Sequence, residues 1–397
     1  MTVSRFVHIG LFSVSASVGM VFALLAELQD EHGLSTSSLG LIASMSFFAA
    51  VVGQLGIAPL ADRGHARTVM VVAVLTAAVA AGGFIVATSA WQFVLARGVA
   101  GLAYGAFSPA AQAVVSAADP SRAGQRLGSL VGVQTAGFII GPGIGVAILD
   151  VTGSTDAPFL VLLVLLLVIT PRLATMNINE VSKQAPRVPV RTILARRDAL
   201  AALILTAALV SPAGLYEAIW ARYLTDLGAS TLFIGVSLTL YGVPFVLAAP
   251  YGGKLADRIG PLRLAPISFV VIIPLTAVYG TIATPGTLMS LAMVEAVANG
   301  AGMPAAQSLM ASATSETERA TGLGVAAAAG QVGAGLSALL AAPLYDTQGS
   351  GVTFVIFAVV IGALGALGLA VGFSGGVAKR NVPDHIPRRL RIRGGGR

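Results

Sequence analysis

Apolar residues run along this chain in long stretches, interrupted by short segments rich in Gly, Pro and charged residues. A helix needs about 20 mostly apolar residues to cross a bilayer. Twelve stretches meet this requirement and predict membrane-spanning helices, six in each half of the chain. The predicted helices cover 6–27, 37–60, 67–88, 91–117, 127–149 and 157–173, followed by 199–224, 230–256, 263–283, 286–313, 320–343 and 352–373.

The composition supports a surface that faces lipid. Hydrophobic residues make up 56% of the chain and charged residues 10%, and the mean hydropathy is +0.86, outside the range of soluble globular proteins. The chain has no cysteine, which excludes disulfides, thiolate metal sites and cysteine nucleophiles. The four His residues lie near loops or ends, and no phosphate-binding Gly-x-x-x-x-Gly-Lys loop is present. We therefore expect no metal and no bound cofactor, and an ion gradient rather than ATP as the energy source.

Basic residues indicate how the chain is oriented in the membrane. If both termini lie on the same side, every one of the 24 Lys and Arg residues except Arg97 and Arg222 falls in segments on that side. The positive-inside rule then places both termini in the cytoplasm. Because the basic residues are distributed over several loops, the net charge of +7 predicts no nucleic-acid partner. The abundance of Ala, Gly, Val and Arg favours a protein of a bacterial plasma (inner) membrane.

An internal repeat relates the two halves. The tetrad Leu-Ala-Asp-Arg at 60–63 recurs at 255–258, and Pro-Ala-Ala-Gln at 109–112 recurs at 304–307 with the same offset. Six helices per half give both halves the same orientation, related by a pseudo-twofold axis along the membrane normal. The predicted units are an N-terminal six-helix bundle at 1–174, a cytoplasmic loop at 175–197, a C-terminal six-helix bundle at 198–373 and a basic, disordered tail at 374–397.

From Arg5 to about Phe373 this organisation resembles the major facilitator superfamily. The resemblance implies an all-α integral membrane protein of the major facilitator fold, with 12 transmembrane helices in two pseudo-symmetric six-helix bundles. It also implies a monomer that moves a small-molecule substrate across the lipid bilayer by alternating access. In that fold, helices 1, 4, 7 and 10 line a central cavity, whereas helices 3, 6, 9 and 12 face lipid.

The loop at 253–263, Gly-Lys-Leu-Ala-Asp-Arg-Ile-Gly-Pro-Leu-Arg, is similar to the family's signature between helices 2 and 3 and its repeat between helices 8 and 9. An Asp beside the N-terminus of a neighbouring helix is held by the helix dipole, and a Gly one turn earlier allows close helix approach. The loop is therefore a conformational latch that would stabilise one of the two conformations. In the first half the signature is eroded, with Ala58 and His65 at the Gly positions, so the first-half loop is a weaker latch or, alternatively, only a topological anchor. The latch residues are Asp62, Arg63, Gly253, Asp257, Arg258 and Gly260.

Helix 5 contains Gly-Pro-Gly-Ile-Gly at 141–145, preceded by Gly128 and Gly137. This spacing resembles the motif of the drug:proton antiporter branch of the superfamily, with Val146 in place of the final Gly. Gly and Pro together bend a helix and allow tight packing, which would favour a seal against proton leak in an exchanger. The alternative is a Gly-Pro kink at an ordinary helix crossing. The motif residues are Gly128, Gly137, Gly141, Pro142 and Gly145.

Ionisable side chains within the predicted spans indicate a central site. Arg97, in a segment similar to the family's helix 4 motif, costs about 2.5 to 3.5 kcal/mol in hydrocarbon and should face a cavity or a partner. Glu217 and Arg222 lie on helix 7, and Glu295 lies on helix 10, about 14 Å from its start. Because burial disfavours a charged carboxyl group, either Glu could exchange protons near neutral pH. We predict proton coupling at Arg97, Glu217 and Glu295; the alternative is a permanent structural pair of a Glu with Arg97 or Arg222.

Aromatic and polar residues near these charges would line a substrate cavity, although each aromatic side chain can also serve helix packing alone. The predicted cavity residues are Tyr104, Phe107, Tyr216, Trp220, Arg222, Tyr241 and Asn299. These features predict proton-coupled efflux (antiport) of a small amphipathic or cationic organic compound or drug, with protons as the coupling ion and no enzymatic activity. The alternatives are a major facilitator transporter for a sugar, amino acid or other metabolite and, more remotely, an intramembrane enzyme or receptor.

Overall fold

The computed structural model of the protein describes residues 2–118, 123–176, 189–315 and 318–374. The predicted tail beyond Ser374 and most of the predicted central loop lie outside these ranges. Within them, all regular secondary structure is helical.

The helices follow the order predicted from hydropathy. In the first half they are α1 (Thr2–His32), α2 (Thr36–Val52), α3 (Ala66–Val86), α4 (Ala90–Ala118), α5 (Ala123–Thr152) and α6 (Asp156–Ala174). In the second half they are α7 (Arg197–Asp226), α8 (Thr231–Ile259), α9 (Pro261–Tyr279), α10 (Pro285–Ala313) and a long C-terminal helix (Arg319–Ser374). A short helix, Val190–Leu194, lies within the segment that was predicted to be a loop, and its Ile193 side chain is buried.

The long C-terminal helix contains two spans, because the chain reverses direction at Gly349. The φ of Gly349 is +75°, a left-handed conformation that Gly adopts without a steric penalty. Tyr345, which precedes this residue, donates a hydrogen bond to Asp226 at the end of α7. Gly372, which follows it, lies against Ala201 near the start of α7. The two parts are named α11 (319–348) and α12 (350–374).

Ten of the described helices are long and apolar enough to cross a membrane, with α11 and α12 counted as one. The remaining span is α10, which has 29 residues and is less apolar because it carries Glu295 and Asn299. The twelve predicted spans are therefore present. Between the last two predicted spans a single residue, Gly349, is sufficient to reverse the chain.

The end of α2 differs from the equivalent end of α8. The chain continues from α2 as a π-helical turn, Gly53–Ile57, and a 3-10 helix, Ala58–Arg63, whereas α8 remains α-helical throughout. Gly64 ends the 3-10 helix with a φ of +88°. The residue with the left-handed conformation in this loop is therefore Gly64. It precedes His65, which occupies the position where the family signature has a Gly.

The helix ends define two faces of the molecule. The basic face carries Arg63, Arg196 and Arg258, whereas the opposite face carries Asp226 and Gly349.

Buried apolar side chains form three clusters among the described residues. One cluster contains only first-half residues and another only second-half residues. The third joins both halves and draws on the parts of α1, α2, α7 and α11 that lie towards the opposite face. There, Gly40 of α2 lies against the carbonyl oxygen of Ala338 in α11. The apolar contact between the halves is therefore concentrated at the opposite face, and no described cluster joins them at the basic face.

Candidate functional site

A buried ion pair joins the two halves. Arg97 projects from α4 and is fully buried, and its Nη2 donates a hydrogen bond to Oε1 of Glu217 on α7, which is also buried. Nη1 of Arg97 donates to the carbonyl oxygen of Val18 on α1 at 2.9 Å. The guanidinium carbon lies 5.7 Å from the centre of the Phe22 ring, also on α1. Arg97 therefore contacts one helix of its own half and one helix of the other half.

This ion pair is incompletely hydrogen-bonded. Within the described residues, Nε of Arg97 and Oε2 of Glu217 have no hydrogen-bond partner. A buried ion pair offsets the desolvation of its two charges only when the geometry is good and the remaining polar atoms are satisfied. Glu217 therefore depends on Arg97, and removal of Arg97 would leave an uncompensated carboxylate in the membrane interior.

The second buried glutamate has a different environment. Glu295 on α10 is fully buried, and its Oε2 accepts hydrogen bonds from the hydroxyl of Tyr216 at 2.6 Å and from the hydroxyl of Tyr279 at 2.8 Å. Its Oε1 has no hydrogen-bond partner among the described residues, and no described Lys or Arg forms an ion pair with it. Of the two buried glutamates, Glu217 has a cationic partner and Glu295 has only phenols.

Aromatic rings cluster around the Glu295 carboxyl group. The centroid of the Tyr216 ring lies 5.3 Å from that of Trp220, 6.2 Å from that of Tyr241 and 6.3 Å from that of Tyr279. Asn299, one helical turn after Glu295, donates to a carbonyl oxygen of α7 at 3.2 Å. The structure thus brings together four of the predicted cavity residues around Glu295 and adds Tyr279. That residue was missed because the resemblance placed its helix against lipid, although a tyrosine in an apolar span needs a partner for its hydroxyl.

Two predicted cavity residues lie elsewhere, on α4 in the first half. The hydroxyl of Tyr104 accepts a hydrogen bond from Nε2 of Gln134 on α5 at 2.8 Å. Phe107 is fully buried in the apolar cluster of the first half, where it packs against Gly10 of α1. Neither residue belongs to the cluster around Glu295, and the position of Phe107 is that of a packing residue.

Arg222 lies at the opposite face rather than beside the buried carboxyl groups. It is partly exposed and pairs with Asp30 of α1 at 2.8 Å and with Asp226 of its own helix at 2.6 Å. The hydroxyl of Thr231 on α8 donates to Glu27 of α1, a second polar contact between the halves at this face. These carboxylates do not form a metal site: the described residues contain no group of three or more His, Cys, Asp or Glu side chains that could hold a metal ion.

The Gly-rich motif of α5 packs closely on α1. A Cβ atom placed on Gly137 would lie 2.5 Å from the carbonyl oxygen of Phe12, and one on Gly141 would lie 2.7 Å from that of Ala16. Gly145, one turn further, faces the side chain of Met20. These glycines at four-residue spacing form the small-residue stripe that lets two membrane helices approach. Gly128 has no atom within 4 Å of such a Cβ position, so it takes no part in this contact.

Pro142 and Gly143 bring the same motif towards the second half. A Cβ atom on Gly143 would lie 2.8 Å from the hydroxyl oxygen of Thr239 on α8, and one on Gly235 of α8 would lie 3.3 Å from the carbonyl oxygen of Pro142. The motif therefore contacts α1 on one side and the other half of the molecule on the other.

The charged latch residues of the second half, Asp257 and Arg258, are exposed at the basic face. Asp257 and Arg258 form no ion pair within the described residues, and Gly260, with a φ of +90°, separates α8 from α9. The close approach of α8 to α10 is made by Gly252 rather than by Gly253: a Cβ on Gly252 would lie 2.3 Å from the Ala301 carbonyl oxygen. In the first half Arg63 is exposed, and the Asp62 side chain lies outside the described part of the structure.

A bidentate ion pair lies at the basic face, outside the membrane spans. Arg196 Nη1 and Nη2 donate to the two carboxylate oxygens of Glu318 at 2.7 and 2.8 Å, and Nη1 also donates to the Ala313 carbonyl oxygen. These hydrogen bonds, with one from the Ser315 backbone N–H, lower the pKa of Glu318 to about 2. The contact ties the start of α7 to the segment between α10 and α11.

Comparison with known proteins identifies the family. A family model described as Major Facilitator Superfamily matches residues 7–224 and 213–389. The chain belongs to the major facilitator superfamily. It is therefore a multi-pass membrane transporter, and it is not an enzyme.

Several relatives within the superfamily have names that describe drug resistance. Multidrug resistance protein MdtG of Salmonella arizonae is 27% identical over 318 residues, which cover 76% of this chain and 78% of the relative. The protein of the same name from Enterobacter lignolyticus is 27% identical over 322 residues, which cover 76% of each.

Solved structures confirm the fold. A bacterial homologue of the human lysosomal transporter Spinster, in an inward-facing and occupied conformation, has a TM-score of 0.79 at 14% identity and covers 95% of this chain and 96% of that chain. The nucleoside transporter NupG has a TM-score of 0.75 at 15% identity and covers 94% and 99% of the two chains.

Proposed function

We propose that this transporter is an antiporter that exports a small amphipathic or cationic organic compound in exchange for protons. The observation that carries the proposal is the environment of Glu295, a fully buried carboxyl group whose hydrogen-bond partners are two phenols. The names of the MdtG relatives support export of drug-like compounds.

The exchange follows from the charge of this carboxyl group. An ionised carboxylate is expensive inside a membrane unless a cation compensates for it. No described side chain supplies that cation at Glu295, so a proton or a cationic substrate must. The two cannot be present at full occupancy together, because the protonated carboxyl group no longer attracts a cation. Uptake of a proton thus favours substrate release, and substrate binding favours proton release.

The aromatic cluster suits the organic part of such a substrate. Tyr216, Trp220, Tyr241 and Tyr279 surround the carboxyl group, and a cation over an aromatic face gains roughly 0.5 to 2 kcal/mol. An apolar compound without charge would contact the rings but would have no electrostatic attraction to the Glu295 carboxylate. The site therefore favours a compound that combines an apolar body with a positive charge.

The distribution of basic residues indicates how the transporter is oriented in the membrane. The positive-inside rule places the basic face and both termini in the cytoplasm, in the plasma membrane of a bacterium. The halves are in apolar contact at the opposite face, so substrate enters from the cytoplasm in this state. Protons are in excess outside such a membrane, and their return to the cytoplasm down this inward gradient then drives export.

Proton release in proteoliposomes tests this function. The internal pH is recorded while lipophilic cations, sugars and amino acids are added in turn to wild type and to Glu295→Gln. A cation should release protons from wild type, and Glu295→Gln should abolish this release. Glu318→Gln is the matched control, because it makes the same chemical change at the basic face outside the spans.

Two outcomes would contradict the proposal. If a sugar or an amino acid is the only compound that moves, the protein is a metabolite transporter of the same fold. If cation-driven proton release persists in Glu295→Gln, the coupling group lies elsewhere.

A further inference from the structure

Arg97 lies between two equivalent positions of the internal repeat. Phe22 and Glu217 are related by the same offset that relates 60–63 to 255–258. The guanidinium group of Arg97 contacts both, since it donates to Glu217 and lies 5.7 Å from the centre of the Phe22 ring. At this position one half offers an aromatic face and the other half offers a carboxylate.

These two contacts respond differently when the halves separate. Phe22 and Val18 lie on α1 and Arg97 lies on α4, so all three belong to the first half and move together. Glu217 lies on α7 and belongs to the second half. The apolar cluster that closes the opposite face is built on α1 and α7. Opening of that face therefore breaks the contact between Arg97 and Glu217 and leaves the contacts of Arg97 with α1 intact.

We propose that the Arg97–Glu217 pair is a lock that holds the opposite face closed, and that Phe22 and the Val18 carbonyl form a seat that retains Arg97 when the lock opens. The seat compensates Arg97 in both states, through a cation–π contact and a hydrogen bond. Glu217 has no second partner among the described residues and is compensated only in the closed state. The charge of Glu217 therefore determines how strongly the closed state is favoured, whatever the substrate is.

Cysteine labelling tests the lock, because the chain has no native cysteine. The reporter is Ala342→Cys, a fully buried position of α11 in the cluster that joins the halves, facing Gly40 of α2. A membrane-impermeant maleimide reaches it only when the opposite face opens. Gln348→Cys, exposed at the same face, serves as the accessible reference. Addition of Glu217→Gln should raise the labelling rate of the buried reporter roughly fivefold or more and should leave the reference unchanged.

Substitutions of Arg97 provide a second measurement. Arg97→Gln alone leaves the Glu217 charge buried without a partner, so the yield of folded protein should fall. Addition of Glu217→Gln removes that charge, and the double variant should recover folded yield and label as fast as Glu217→Gln alone. Labelling rates of Glu217→Gln and of the double variant equal to that of the unsubstituted reporter would overturn the lock.

The seat is tested by two substitutions of Phe22. Because the open state relies on the seat alone for compensation of Arg97, Phe22→Leu should lower the labelling rate of the buried reporter several-fold. Phe22→Tyr keeps an aromatic face and should retain the rate. Equal rates for the two variants would show that Phe22 contributes packing only and would remove the seat from the proposal.

Discussion

The hydroxyl of Tyr279 donates a hydrogen bond of 2.8 Å to Glu295, so the last residue of α9 reaches the buried carboxyl group of α10. Its position is fixed from a third helix, because the hydroxyl of Tyr223 on α7 donates to the carbonyl oxygens of Tyr279 and Ile282 at 2.8 and 2.9 Å. The end of α9 is thereby held against the interior of the second half.

Removal of the Tyr279 hydroxyl should weaken the binding of a cationic substrate. Such a substrate requires the ionised carboxylate of Glu295, and Tyr279→Phe removes one of its two donors. A hydrogen bond to a charged group contributes about 1.5 to 3 kcal/mol, which corresponds to roughly tenfold or more in affinity. Tyr216→Phe should have the same effect. The dissociation constant of a fluorescent lipophilic cation measures the change in both variants.

Tyr223→Phe is the control for this prediction. Its hydroxyl bonds to backbone carbonyls and not to Glu295, so the variant should lower thermal stability and leave the dissociation constant nearly unchanged. An affinity loss in Tyr223→Phe as large as that in Tyr279→Phe would mean that the hydroxyl groups act through packing of α9.

Two glycines of the α5 motif should differ in their tolerance to Ala. A Cβ at Gly137 meets a backbone oxygen of α1 at 2.5 Å, so Gly137→Ala must push α5 away from α1 and should reduce both folded yield and melting temperature. Gly128→Ala meets no atom and gains about 1 kcal/mol of helix propensity, so its melting temperature should be equal or slightly higher. Thermal melts of the purified variants compare the two; equal damage would indicate that the motif glycines act through flexibility of α5.

Arg222→Gln should have a small effect on stability and should leave substrate preference unchanged. The pair of Arg222 with Asp30 lies at the opposite face and is partly exposed, and exposed ion pairs contribute about 1 kcal/mol or less. The difference in melting temperature between wild type and variant should be smaller at high salt than at low salt, because salt screens such pairs. A changed order of preference among competing cations would place Arg222 in the substrate cavity after all.

The pair of Arg196 with Glu318 should stabilise the protein in a pH-dependent manner. The pKa of Glu318 is about 2, below the value of about 4.3 expected in the unfolded chain. A lowered pKa stabilises the folded state above the unfolded value, and this stabilisation is lost as the pH falls from about 4.3 towards 2. The melting temperature of wild type should therefore exceed that of Glu318→Gln at neutral pH, and the difference should shrink below about pH 4. A difference that stays constant with pH would contradict this origin.

Hydropathy and the internal repeat were sufficient to predict the spans, because the bilayer imposes a minimum length on each apolar stretch. The buried charges were also identifiable, since an Arg or Glu within a span must have a partner or a cavity. Which partner each charge has could not be predicted. Arg97 and Glu217 lie on helices of different halves, and their contact depends on how the halves are packed rather than on any pattern within one helix.

Other features depend on details that hydropathy does not encode. The turn at Gly53–Ile57 differs from an α-helix only by the register of its backbone hydrogen bonds. The placement of Tyr279 depends on the rotation of α9 about its axis. Arg222 lies within a predicted span. Its place at the surface depends on where the end of α7 lies in the folded protein, which hydropathy does not define.

The π-helical turn of α2 makes the two halves differ at the basic face. Gln54 within this turn donates a hydrogen bond of 3.0 Å to the carbonyl oxygen of Gly324 in α11, whereas the equivalent position of α8 by the repeat is Ala249, which has no side-chain donor. This hydrogen bond joins the two halves along the flank formed by α2 and α11, whereas the Ala249 side chain cannot form its equivalent along the flank formed by α5 and α8. A duplicated chain has thus acquired a front and a back at its basic face.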